Sequence, residues 1–266
     1  MSEGKRLRRP AEGGYARGDE TRLRIIHAAI ELFGERGFAA ASTRDIASRA
    51  GVNAPALQYY FENKEGVYRA CAEHMVDAAR AHFEPVMRRA SEVLADAKKA
   101  SKANEMEDTP ALIEAFLAVQ EAMADKMFLS LGTPLKRLFF AREQMGQEPP
   151  IASEVLQQGL REPLNRICAE LVARIGGTRA RDPLTLMRVM LLNGQLVVFH
   201  ASPRSALQMF GWTEIDASKS EFIKSTVRMQ TRALLEMWSA ERQSRLASEH
   251  TNRKREVTRS SRGVQT

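Results

Sequence analysis

Two cysteines are all that 266 residues contain, Cys71 and Cys168, far apart and outside any metal-type spacing. There is no disulfide framework to staple a small fold, and the pair predicts core thiols in a reduced, cytoplasmic protein. The five histidines, at 27, 74, 82, 200 and 250, include no two at the spacing of a helical zinc site. No run of 18 apolar residues is present, so no membrane span is expected. The Arg/Gly/Glu-rich N-terminus lacks the apolar stretch of a signal peptide. No stretch reads convincingly as a strand, which removes the strand-then-glycine context of a phosphate loop, and Gly176-Gly177 reads as a helix stop. No Ser/His/Asp or Cys/His signature stands out, although such groups converge in space rather than in order. The expectation is no metal, no cofactor and no enzyme.

A length of 266 residues allows one or two domains and a sizeable core. The formal charge is +7, and it sits at the ends. Residues 1–24 hold seven Lys/Arg against four Asp/Glu, and residues 241–266 hold seven against three. The body between them is formally neutral. Basic arms suit a polyanion, because neutralising phosphates supplies the sequence-independent part of DNA affinity. The same composition suits solvated, disordered tails. The domain reading is a disordered basic arm over 1–18, a head over 19–80, a body over 81–240 and a disordered basic tail over 241–266.

The head centres on residues 42–61, STRDIASRAGVNAPALQYYF. Thr43 can cap a first short helix by offering its hydroxyl to first-turn N–H groups. Ile46, Ala47 and Ala50 give that helix a small apolar face. Gly51 follows where the chain must turn through a left-handed conformation. Asn53 can cap a second helix, whose first turn tolerates Pro55. Leu57 and Phe61 face inward, while Ala54, Ala56, Gln58, Tyr59 and Tyr60 are left outward. The pattern is a helix-turn-helix whose second helix can lie in a major groove, or an αα-hairpin that merely packs.

The flanks separate these readings. LFGERGF precedes the motif, NKEGVY follows it, and together the string over about residues 19 to 80 resembles the DNA-binding head of the TetR family of bacterial repressors. The rest of the chain is similar to the CecR-type branch of that family, through FFAREQ at Phe139 to Gln144, Pro163, NGQ at Asn193 to Gln195 and FGW at Phe210 to Trp212. The resemblance implies that Thr43, Arg44, Tyr60 and Lys64 lie at the DNA, the last three on phosphates, and that Ala54, Pro55, Ala56, Gln58 and Tyr59 approach base edges. Gln58 departs from the family, which usually carries tyrosine there. A glutamine can instead pair bidentately with an adenine edge.

Beyond the head, apolar periodicity predicts helices throughout, so the fold class is all-α: a three-helix head, a long fourth helix, and a helical regulatory and dimerisation domain. The first helix is expected to begin at Asp19 or Thr21 and stop at Gly37. Asp182-Pro183 opens the most apolar helix, expected to be buried on several sides. The last helix is expected over about Asp216 to Trp238. In a repressor of this resemblance the two late helices form a four-helix bundle with a second subunit, through Leu186, Met190, Val197, Ile223, Val227, Leu234 and Trp238. They could otherwise close the chain's own core. For an effector, Phe116, Phe139, Arg142, Asn193 and His200 are the candidates, each of which could instead pair in the core or fix dimer register. The resulting expectation is a homodimeric repressor released from a palindromic DNA operator by an unidentified small-molecule effector. The rivals are an architectural DNA-coating protein without effector, and a helical enzyme or interaction module with a vestigial head.

Overall fold

The computed structural model describes residues 12–103, 107–128, 134–146, 148–201 and 203–262. The N-terminal arm up to residue 11 and residues 263–266 lie outside the described residues. All regular structure among the described residues is helical. The elements are α1 (Glu12–Ala40), α2 (Thr43–Arg49), α3 (Ala54–Tyr60), α4 (Lys64–Lys102), α5 (Thr109–Phe128), α6 (Pro134–Gln144), α7 (Pro150–Leu156), α8 (Glu162–Gly176), α9 (Pro183–Ala201), α10 (Pro203–Phe210) and α11 (Ala217–Arg262). A wider π turn, Gln157–Arg161, leads into α8. No single helix among the described residues is long and apolar enough to cross a membrane.

The chain divides into two compact units. The first joins residues 1–78 to residues 132–159, so α6 and α7 belong with the head rather than with the body. The second comprises residues 79–131 and 160–266.

In the first unit, α1 presents Ile25, Ile26, Ala29, Ile30 and Phe33, all buried, to its neighbours α2 and α6. Tyr68 of α4 is the hub of an aromatic cluster, 4.9 Å from the Phe33 ring, 5.1 Å from Phe38 and 5.2 Å from Phe139 between centroids. Gly34 sits where α6 crosses α1, and a Cβ there would lie 2.1 Å from the Leu135 carbonyl oxygen. The regular turns of α1 break at Gly37, whose φ of 80° and ψ of 169° form a backbone conformation that essentially only glycine adopts. That break was expected; the start at Glu12, upstream of Asp19, was not.

In the second unit, α5 is flanked by α8 and α11, with α9 against α8. Phe116, Leu117, Leu171, Val172 and Leu235 are buried at the centre. Gln120 is buried too, and its Nε2 donates to the Leu192 carbonyl at 2.8 Å, which satisfies an amide that would otherwise cost several kcal/mol. α9 is not buried on several sides within the single chain. Val189, Leu192 and Leu196 face inward, while Leu186, Met190 and Leu191 are at least half exposed. The last helix does not stop near Trp238 but runs to Arg262. Residues 217–262 contain neither glycine nor proline, and Gly263 is the first breaker the helix meets. Polar composition pointed to a disordered tail, but nothing in the local backbone chemistry ends the helix earlier.

Candidate nucleic-acid interface

The helix-turn-helix is built from its caps outward. Ser42, not Thr43, is the N-cap of α2: its Oγ accepts from the Asp45 N–H at 3.1 Å, and the Asp45 carboxylate accepts from the Ser42 N–H at 3.3 Å. This is a reciprocal box with aspartate at the third position. The Ser42 hydroxyl, followed by the Ser42 N–H, holds the Asp45 carboxyl below its usual range. Thr43 becomes the first helical residue, half-buried. Ile46 and Ala47 are buried, and Gly51 turns the chain at φ 66°. Asn53 caps α3 by accepting from the Ala56 N–H at 2.8 Å.

Leu57 anchors α3 at 1 % exposure, and the rest of the helix faces out. Ala54, Pro55, Gln58 and Tyr59 are exposed, with Tyr59 at 83 %, while Ala56 and Tyr60 are half-buried. An aromatic ring that open is poised for contact, since burying it would release about 1.5–3 kcal/mol. Arg44 is exposed and has no carboxylate partner among the described residues. Thr43, Gln58 and Lys64 meet at a shallow cleft of about 420 Å³ between the start of α2 and the end of α3. Lys64 is less free than the sequence pattern implies. Its ammonium donates to the Ala39 carbonyl at 3.2 Å and lies 4.4 Å from the Phe38 ring centre.

The proposed effector residues fall in both units. Phe116 is in the core of the second unit, whereas Phe139 and Arg142 are in the first. Phe139 packs on Tyr68. Arg142 donates to the Gly34 and Glu35 carbonyls at 3.0 and 3.2 Å, and Glu148 accepts from the Phe38 N–H at 2.8 Å. These two side chains satisfy the backbone groups freed where α1 breaks. Asn193 lies beside the Cys168 thiol, and its buried amide makes no conventional hydrogen bond. Burial pushes that thiol up to about 12. The side chain of His200 lies outside those described. Of the dimer candidates, Leu186, Met190, Val197 and Leu234 are exposed, but Ile223, Val227 and Trp238 are buried in this chain's own core. Leu184, Leu191, Met229 and Met237 are exposed as well. Periodicity shows which residues share a face, not which neighbour covers it.

One pair in the head was not foreseen. His27 of α1 and His74 of α4 bring their Nε2 atoms to 3.2 Å. Among the described residues no third ligand makes this a metal site. Burial first, then the charge of Lys136, lowers His27; burial, then His27 and Lys136, lowers His74. A histidine depressed in the fold binds fewer protons than in the unfolded chain. Its contribution is therefore complete above about pH 6.5 and is lost as pH falls through the window just below. Tm should fall across that window, and His27→Gln/His74→Gln should flatten the slope there. An unchanged slope in the double variant would assign the pH dependence to other groups.

A capped tri-helical unit with an exposed third helix is that of a helix-turn-helix DNA-binding regulator. Residues 25–71 match the model of bacterial regulatory proteins of the tetR family, and residues 112–237 match that of the C-terminal domain of the HTH-type transcriptional dual regulator CecR. Over 211 residues the chain is 30 % identical to the HTH-type transcriptional dual regulator CecR of Shigella flexneri, covering 79 % of this chain and 89 % of that protein. The HTH-type transcriptional activator FasR of Mycolicibacterium smegmatis is 43 % identical over 75 residues, 26 % of this chain and 34 % of that protein. In fold, the chain resembles a transcriptional regulator from Rhodococcus sp. Rha1 with a TM-score of 0.52, at 18 % identity over 81 % of this chain and 96 % of that one. The chain belongs to the TetR family of bacterial transcriptional regulators. It is a regulator and not an enzyme.

Proposed function

We propose that the chain acts in the cytoplasm as a homodimeric repressor, bound to a palindromic operator and released from it by a small-molecule effector. The observation that carries this reading is the exposed apolar face of α9 and α11. Met190 and Leu191 on the first, and Met229 and Met237 on the second, are 47–66 % exposed. Between the two helices lies a largely apolar cleft of about 530 Å³, lined by Leu191, Leu234 and Trp238. Apolar surface on this scale is costly in water, and a second copy covers it with the same surface. Two recognition helices held about 34–36 Å apart then meet successive major grooves. Footprinting should show one protected palindrome; uniform coverage would favour an architectural role.

On the DNA, α3 reads bases and Arg44 grips a phosphate. Gln58→Ala should change which base is preferred at one position, by about 1–3 kcal/mol, if its amide pairs with an adenine. Arg44→Ala should instead weaken all sequences alike and reduce the salt slope by about one. If Gln58→Ala also weakens every sequence equally, that residue reads no base.

The effector reading rests on Asn193, a buried amide whose oxygen and nitrogen both lack a conventional partner in the second unit. An apolar or aromatic molecule with one polar handle suits such surroundings. α4 is common to both units, so a ligand in the body can bias the head through it. Release requires the ligand to prefer the conformation that DNA does not, with a coupling of roughly 1–3 kcal/mol. Equal ligand affinity with and without operator would end this part of the reading.

A further inference from the structure

Within the second unit, three helices and a turn gather positive charge around an open cleft of about 480 Å³. α4 supplies Lys98, α8 supplies Arg174, the turn after α8 supplies Arg179, and α11 supplies Arg242. Against these stand two carboxylates. Glu170 lines the cleft, and Glu107, whose side chain is only 7 % exposed, accepts from Arg174 at 2.8 Å and from Arg242 at 2.9 Å. One buried carboxylate therefore serves two guanidinium groups, each with N–H groups to spare. Lys98 has no carboxylate partner among the described residues, and Arg179 meets one only through its backbone N–H, which donates to the Asp182 carboxylate at 2.9 Å and leaves the guanidinium without an ion pair there.

The backbone holds this arrangement in place. Gly177 ends α8 at φ 65°, and a Cβ on it would come within 2.7 Å of the Arg242 side chain. The missing side chain lets Arg242 lie across the turn and donate to the Arg174 carbonyl. Arg245 donates to the Gly176 carbonyl at 2.6 Å. Two of the carbonyls that end α8, which would repel an anion, are thus already occupied by arginine.

We propose that this cleft binds a small metabolite through a dianionic phosphate group. The Lys98 ammonium and the Arg179 guanidinium supply charge held in no ion pair, and the spare N–H groups of Arg174 and Arg242 supply the planar donors that fit phosphate oxygens. The site is separate from the apolar face of α9 and α11, and it does not depend on the repressor reading.

The test is calorimetric titration of the full-length protein with inorganic phosphate at constant ionic strength, with acetate as the monoanionic control. Saturable binding near one equivalent per chain is expected, with acetate markedly weaker. Lys98→Glu/Arg179→Glu should weaken phosphate by about tenfold or more. Both side chains are exposed, and circular dichroism verifies that the variant is folded. Arg44→Ala is titrated in parallel, because the head also carries cations. Failure of the wild type to saturate, wild-type affinity in the folded double variant, or loss of binding in Arg44→Ala would each overturn the proposal.

Discussion

Met190→Arg should yield a soluble monomer whose operator affinity is lower by about two orders of magnitude or more, because two linked heads become one. Met190 is 61 % exposed in the single chain, so the substitution leaves the monomer's packing untouched. Changes at such surface positions usually stay within about 0.5 kcal/mol. At a two-fold interface the added guanidinium would appear twice, unpaired and desolvated, which costs several kcal/mol. Light scattering and a gel shift read the two outcomes. Leu234→Arg, on the facing helix, should behave alike, whereas Ile223→Arg should unfold the body because Ile223 is buried in this chain's own core. A Met190→Arg protein that remains dimeric would place the interface elsewhere.

Gly34→Ala should destabilise the protein, although glycine to alanine within a helix ordinarily stabilises by up to about 1 kcal/mol. The sign reverses because the new methyl would lie 2.1 Å from the Leu135 carbonyl oxygen, a backbone atom that cannot rotate aside. α6 must retreat from α1, and overpacking of this kind costs about 1–3 kcal/mol, occasionally more. That retreat would also draw Phe139 off Tyr68 and Arg142 off the broken end of α1. Urea denaturation should show a lower midpoint with weakened DNA binding. An unchanged or higher midpoint would show that α6 is free to shift at no cost.

The helix-turn-helix was legible because its information is local. Asn53, Pro55, Leu57 and the left-handed Gly51 each act within one turn of themselves, and the structure realises each of them. Adjacent hydroxyls make Ser42 and Thr43 alike as caps until Asp45 is weighed, whose place three residues after Ser42 is the sequence signal for the box the structure forms. Phe139 and Arg142 illustrate the harder limit. Their aromatic and charged character suggested a ligand, but their partners, Tyr68 for Phe139 and the Gly34 and Glu35 carbonyls for Arg142, are remote in sequence, where no periodicity points. The late helices show a third limit: Val227 and Leu234 sit on one stripe, yet one is buried within this chain and the other is exposed.

The return of residues 132–159 to the first unit bears on how such regulators can be recombined. A graft that moves only the first eighty residues onto another body would carry the recognition helix but leave Tyr68 without Phe139, and the broken end of α1 without Arg142 and Glu148. The transplantable piece is discontinuous, and the segment from α6 to α7 must travel with it or be matched in the recipient. If α3 reads the operator as proposed, exchange of specificity between such proteins is simplest by substitution within α3, where Leu57 alone is buried and its neighbours can be rewritten.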